Sequence, residues 1–168
     1  MTHPHHVFKL SFRDGVARSL NTAGMVKDPL SKKTISVENM VWDTGATNTC
    51  ITPKVATDLG LTQIGVTTMH TANGSNLART YLADVIISQT VTITNVQVSE
   101  ANLGPNTDVL IGMDIIALGD FLIQNINGKT EFSFCIPPFE TKYDMVEKAN
   151  QINLRNHKAN LKLMKKKT

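Results

Sequence analysis

Residues 41–46 read Val41-Trp42-Asp43-Thr44-Gly45-Ala46, an apolar strand end that delivers an acid into a tight turn of Thr, Gly and Ala. Glycine lets the backbone fold close beside the carboxylate and aim N–H groups at it, while threonine adds a hydroxyl that can lock the turn. By themselves four such residues also describe an ordinary strand-end turn. What surrounds them decides the reading.

Upstream, Val7 to Phe12 alternates apolar and polar residues, and Arg13-Asp14-Gly15 is a turn signal. Asp28-Pro29-Leu30-Ser31-Lys32-Lys33 then forms a polar hairpin tip leading into a strand from Thr34 to Trp42. Downstream the pattern predicts a short helix, with Thr52 capping its amino end, Pro53 in the first helical position and Gly60 just past its carboxyl end. Leu61 to Ala72 and Leu77 to Ile87 flank Asn73-Gly74-Ser75 as a hairpin, and Val91 to Val98 is a further β-branched strand. Thr107 to Ile111 is a short apolar strand closed by Gly112, and Asp114 to Leu118 suits one or two helical turns. Phe121 to Asn125 and Thr130 to Ile136 make a last hairpin around Asn127-Gly128, which Pro137-Pro138 ends. Many short strands, little helix and no internal repeat predict a mostly β fold, a closed or nearly closed β-barrel with one or two short helices.

The 168 residues, 41% of them apolar and 18% charged, suit one ordinary domain with a real core and exclude a disordered or collagenous chain. That domain is expected over residues 7–138, after a disordered start at 1–6 and before a tail at 139–168 that is helical or disordered. The aromatic share of 5% fits a core of Val, Ile and Leu. No apolar run reaches the roughly 18–20 residues of a membrane span, and the start lacks an apolar signal core, so a soluble, cytoplasmic protein is expected. Cys50 and Cys135 lie in apolar stretches that read as strands and are expected to be free, buried thiols. His3, His5 and His6 could bind metal, but a loose terminal cluster without Cys or carboxylate partners is weak evidence for a site, and a disordered start is the expected reading. Residues 139–168 hold eight Lys or Arg against three Asp or Glu, a net of +5, so the other 138 residues carry −2 of the overall +3. The basic character belongs to the tail. With few aromatic or Arg residues interleaved it reads as a solvated end, with Tyr143, Val146 and Ala149 on one helical face, and not as a nucleic-acid or membrane contact.

The flanks of the Asp43 turn resemble the retropepsin-like aspartic peptidases. In that family an Asp-Thr/Ser-Gly-Ala turn after an apolar strand is followed by a hairpin flap, then by two apolar residues and Gly before a short helix. Here Thr68-Met69-His70-Thr71-Ala72-Asn73-Gly74-Ser75 stands where the flap should be, and Leu110-Ile111-Gly112 precedes Met113-Asp114-Ile115-Ile116. The resemblance covers about residues 7–136, and three motifs in order are more specific than one.

The resemblance implies that Asp43 is catalytic, that Thr44 cross-braces two active-site turns and that Gly45 helps to bind the substrate backbone. It assigns Ala46, Asn48, Ala72, Asn73, Gly74 and Ile111 to substrate binding. One such turn per chain is half a site, so the resemblance implies a symmetric homodimer with Asp43 of each subunit on the twofold axis. Water activated between the paired carboxylates would hydrolyse a peptide bond of a peptide or protein substrate, with no metal or organic cofactor. Two departures stand out. Several retroviral members place an Asp just after the Ala and an Arg just after the later Gly, and these support the dimer as an ion pair. Here those positions are Thr47 and Met113, so dimer support must come from elsewhere, such as the amino-terminal strands or terminal segments. Thr49 and Asp114 match a family pair that can hydrogen-bond and tie the helix to the active-site loop.

The remaining candidates have plainer readings. His70 is an exposed strand histidine, Cys50 is pocket lining by analogy or ordinary core, and Asp108 and Asp120 are turn residues or caps. Against the peptidase stands a second class, a non-catalytic retropepsin-like module kept for dimerisation or peptide binding, since a fold does not dictate a function.

Overall fold

The computed structural model describes residues 4–71 and 74–165. In chain order the elements are β1 (His6–Ser11), β2 (Leu20–Lys27), β3 (Thr34–Trp42), β4 (Cys50–Ile51), α1 (Pro53–Leu59), β5 (Gly65–Thr71), β6 (Gly74–Ile86), β7 (Thr92–Glu100), β8 (Val109–Ile111), α2 (Met113–Ile116), β9 (Asp120–Ile126), β10 (Lys129–Ile136) and α3 (Met145–Lys165). The protein is mostly β with few helices. No helix among the described residues is long and apolar enough to cross a membrane.

Local signals act where they stand. Asp28 turns the chain between β2 and β3, its carboxylate accepting the backbone N–H of Leu30 at 3.0 Å and of Ser31 at 3.1 Å as well as the Ser31 hydroxyl. Thr52 Oγ1 accepts the N–H of Val55 at 3.4 Å, and Gly60 ends α1 in the left-handed region with φ +71°. Asn127 and Gly128 both have positive φ, 52° and 74°, as the two-residue turn between β9 and β10 requires.

Two sheets result. The larger has the order β2-β3-β8-β4-β7-β6-β5, and β2 also pairs with β6, so it nearly closes on itself as a ring with β5 outside. Gly24 makes that closure possible: a Cβ there would lie 2.6 Å from the Ile86 carbonyl oxygen and 2.7 Å from Met40 Cε. At the end of the seam Lys27 faces Asp84 and makes an ion pair at 3.3 Å. The smaller sheet, β1-β10-β9, folds over the ring. Its inward rings meet Trp42, whose indole lies 4.9 Å from Phe132, 5.2 Å from Phe134 and 5.9 Å from Phe121. Trp42 Nε1 donates to Thr22 Oγ1 at 3.0 Å, so burial leaves no orphan donor. The few aromatic residues are thus concentrated, and the largest fully buried side chains are Phe132 and Phe134 beside the expected aliphatic core. Cys50 and Cys135 are buried free thiols.

The chain ends differ from expectation in detail. β1 already begins at His6, and the His5 ring stands 4.9 Å from Phe139 and bonds the Pro137 carbonyl through Nδ1 at 3.0 Å. In the tail, Asp144 Oδ1 caps α3 by accepting the N–H groups of Val146 and Glu147 at 2.9 and 3.0 Å. Tyr143 therefore lies before the helix, with Lys148 Nζ 5.0 Å from its ring centre.

Candidate active site

β3 and β8 run parallel, with Val41 opposite Leu110 and Trp42 opposite Ile111. This pairing brings two segments some 70 residues apart to one end of the ring. Asp43 continues it, donating its N–H to the Ile111 carbonyl at 2.9 Å. The chain then reverses: Ala46 N–H donates to the Asp43 carbonyl at 3.2 Å, and Gly45 N–H donates to Asp43 Oδ1 at 2.8 Å. The carboxylate is half-buried, with one oxygen held by the turn.

A second layer of bonds locks this turn to α2. Thr49 is fully buried, and its hydroxyl donates to Asp114 Oδ1 at 2.7 Å while accepting the Gly112 N–H at 3.1 Å. Asp114 Oδ2 accepts the Thr49 N–H at 2.9 Å, Met113 N–H donates to the Ala46 carbonyl at 2.8 Å, and Asp114 N–H donates to the Thr47 carbonyl at 3.1 Å. Only glycine fits at 112, because a Cβ would lie 2.6 Å from the backbone carbon of Asn48 and 2.7 Å from its oxygen. Thr49 and Asp114 thus form the tie suggested by their sequence positions. Thr47 and Met113, where an ion pair is absent, join the two loops through backbone groups instead.

An open cleft of about 390 Å³ adjoins the acid, lined by Asp43 and Thr44 together with Arg18, Leu20, Phe121, Ile123 and Asn125. Thr44 and Gly45 are exposed and Ala46 is half-buried, so Asp43 to Ala46 forms one accessible group. Asn48 is also exposed but lines a separate open cleft of about 380 Å³ with Thr67, Gln97 and Asp114. Ile111, expected at a substrate surface, has 0% of its surface exposed: its side chain is part of the core beneath the turn, and only its carbonyl serves the site. Ala72 and Asn73 lie outside the described residues. Gly74 opens β6 with φ +118°, opposite Thr71. On the same hairpin His70 Nδ1 meets Ser75 Oγ at 2.7 Å, a partner that strand patterning does not reveal.

The plainer candidates resolve similarly. Burial first, and the Asp114 charge second, push the Cys50 thiol up to about 11, which makes it ordinary core and a poor nucleophile. Asp108 Oδ2 accepts the N–H groups of Glu38 and Asn39, both at 3.3 Å, and Asp120 Oδ2 accepts that of Phe139 at 2.7 Å. Arg18, Ile123 and Asn125 escaped the sequence reading. Arg18 follows a turn with no motif of its own, and the alternating run of β9 looks like any buried strand until its surroundings are known.

A family model described as aspartyl protease matches residues 30–115, just over half of the chain, spanning the Asp43 turn and the Gly112 segment. The chain belongs to the aspartyl protease family. No curated protein matches it. Among solved structures, a retropepsin-like aspartic protease from Rickettsia conorii is similar over 80% of this chain and 98% of that chain, at 16% identity and a TM-score of 0.48. The matched residues include the accessible Asp43-Thr44-Gly45 turn.

Proposed function

We propose that this chain is an aspartic endopeptidase of the retropepsin-like kind, working as a homodimer that pairs Asp43 of one subunit with Asp43 of the other. The observation that carries the proposal is the half-buried Asp43 carboxylate, fixed at the mouth of a cleft by a backbone N–H and by a turn bolted to α2. The sequence contains a single Asp-Thr-Gly turn, so a two-carboxylate site needs two chains. The Thr44 hydroxyl makes no hydrogen bond among the described residues and is exposed, which suits a bond to the other subunit's turn.

Two carboxylates brought within a few ångströms cannot both ionise readily and hold one proton between them. The charged member takes a proton from water as the water oxygen attacks the scissile carbonyl carbon. The protonated member donates its proton to the carbonyl oxygen, giving a neutral tetrahedral diol. Return of a proton to the amide nitrogen then lets the C–N bond break, and amine and acid leave. The β5–β6 hairpin is assigned the part of a flap that closes over an extended substrate.

The test is incubation with a mixed peptide library, comparing the native protein with Asp43→Asn. Cleavage by the native protein alone is the expected result. No cleavage by either, while the native protein binds peptide and sediments as a dimer, would replace the enzyme by the binding module, and equal cleavage by both would remove Asp43 as the catalytic group.

A further inference from the structure

We infer that α3 lies in the interfacial plane of a bilayer bearing anionic lipids and holds the β domain against that surface. The inference is independent of the peptidase reading and stands or falls without it. Composition alone favours a solvated tail; the fold adds how the helix stands and how its residues are sorted. One helix runs unbroken from Met145 to Lys165, and every described side chain on it is exposed. It therefore borrows no packing from the barrel, and a helix of this length with several Asn residues is marginal by itself in water.

The charges are sorted to one side. α3 holds five basic residues, Lys148, Arg155, Lys158, Lys162 and Lys165, against Glu147 alone, a net of +4. At about 100° per residue these six positions fall on one stripe about 100° wide. Among the described residues Lys148, Arg155, Lys158 and Lys162 have no ion-pair partner, while Glu147 Oε1 accepts from Gln151 Nε2 at 3.1 Å. The stripe is a row of uncompensated positive charge.

The side turned away from that stripe carries Met145, Val146, Ala149 and Ile152, within a sector of about 120°. Met145, Val146 and Ile152 are 71%, 70% and 46% exposed, and just ahead of the helix Phe139 and Tyr143 are exposed too. This sorting suits an in-plane helix: the apolar side chains enter the boundary between headgroups and acyl chains, and the Lys and Arg stems bend past them to lipid phosphates. Tyr143 can keep its ring in that boundary and its hydroxyl in water. Asn153 and Asn156, on the apolar side, hold the helix at headgroup depth. Charge selects anionic headgroups, and the apolar side selects lipid over nucleic acid. A phosphate backbone answers the stripe but leaves Met145, Val146 and Ile152 in water, whereas an anionic bilayer answers both.

Co-sedimentation of the full chain with vesicles tests this, using phosphatidylcholine alone and phosphatidylcholine mixed with phosphatidylglycerol, at low and high salt. The expected result is binding to the mixed vesicles only, weakened by salt. Lys158→Glu/Lys162→Glu should lower the partition coefficient about a hundredfold, at roughly fivefold or less per unit of charge near an anionic leaflet. Val146→Asn/Ile152→Asn should lower it about tenfold. Arg13→Glu/Lys33→Glu makes the same charge change at exposed sites of the β domain and should bind as the wild type does. A thermal melt of each variant checks folding. No binding to the mixed vesicles, equal binding to neutral ones, or a charge-reversed α3 that partitions normally overturns the inference. A Val146→Asn/Ile152→Asn protein that partitions normally overturns it as well, and tight binding to duplex DNA then gives the stripe to nucleic acid. Should a double variant not fold, Val146→Cys carrying an environment-sensitive dye decides, because Cys50 and Cys135 are buried: a blue shift on the mixed vesicles supports insertion, and its absence refutes it.

Discussion

Replacing Thr49 by Val removes one oxygen and keeps the branched shape, so it isolates the hydroxyl that joins the Asp43 turn to α2. That oxygen donates to Asp114 Oδ1 at 2.7 Å and accepts the Gly112 N–H at 3.1 Å, at a position with 0% exposure. A hydrogen bond to a charged group contributes about 1.5–3 kcal/mol, and a buried N–H left without an acceptor costs about 1–3 kcal/mol. Asp114 keeps the N–H groups of Thr49 and Ile115, both at 2.9 Å, so its carboxylate is not orphaned and the two figures do not simply add. The expected loss is about 3 kcal/mol, or about 6–12 °C in Tm for a domain of this size. Denaturant and thermal unfolding measure it, with Thr49→Ser as the companion. Serine keeps both bonds and forfeits only a methyl, about 1 kcal/mol. On the proposed function, peptide cleavage by Thr49→Val should also fall further than its folded fraction, because the Asp43 turn loses its brace. A Thr49→Val protein within 1 kcal/mol of wild type, or a Thr49→Ser protein less stable than it, would refute the reasoning.

Gly112→Ala should be destabilised by about 2 kcal/mol or more, because the added carbon meets the Asn48 backbone at 2.6 Å, whereas Gly60→Ala meets open space and costs about 1 kcal/mol from its φ of +71° alone. Equal losses in the two melts would show that close approach at 112 is not the constraint. The Asp28 carboxyl is held below the usual carboxylate range, first by the Ser31 hydroxyl and then by the Leu30 N–H. Its folded-state pKa is therefore below the unfolded value of about 3.9, so its contribution is full above about pH 4 and is lost as pH falls through the depressed value. Asp28→Ala should cost about 1–2 kcal/mol at neutral pH, and the gap to wild type should narrow in urea titrations below pH 4; a gap that widens there would contradict the assignment.

Much of this protein was legible as local backbone chemistry. The strand from Thr34 to Trp42, the cap and stop of α1 at Thr52 and Gly60, and the turn at Asn127-Gly128 each depend on a few neighbouring residues, so their signals survive in one dimension. The Asp43 turn was legible for the same reason, and its pairing with Thr49 and Asp114 could be suggested from a family pattern. Ile111 shows where that stops. Its place in the motif pointed to a substrate surface, yet parallel pairing of β3 with β8 puts it under the turn, wholly buried.

The sequence by itself therefore determined the element types, the turn that carries the acid and the family to which such a turn belongs. Tertiary structure alone decided the seam of β2 with β6 over Gly24, the aromatic cluster on Trp42, the burial of Ile111, and the meeting of Arg18, Ile123 and Asn125 around Asp43. The physical reason is that alternation along a strand says which side chains share a face, while what covers that face depends on strands distant in sequence. In β9 the same apolar pattern that would be core elsewhere is left open beside the cleft, because β9 stands at the edge of its sheet.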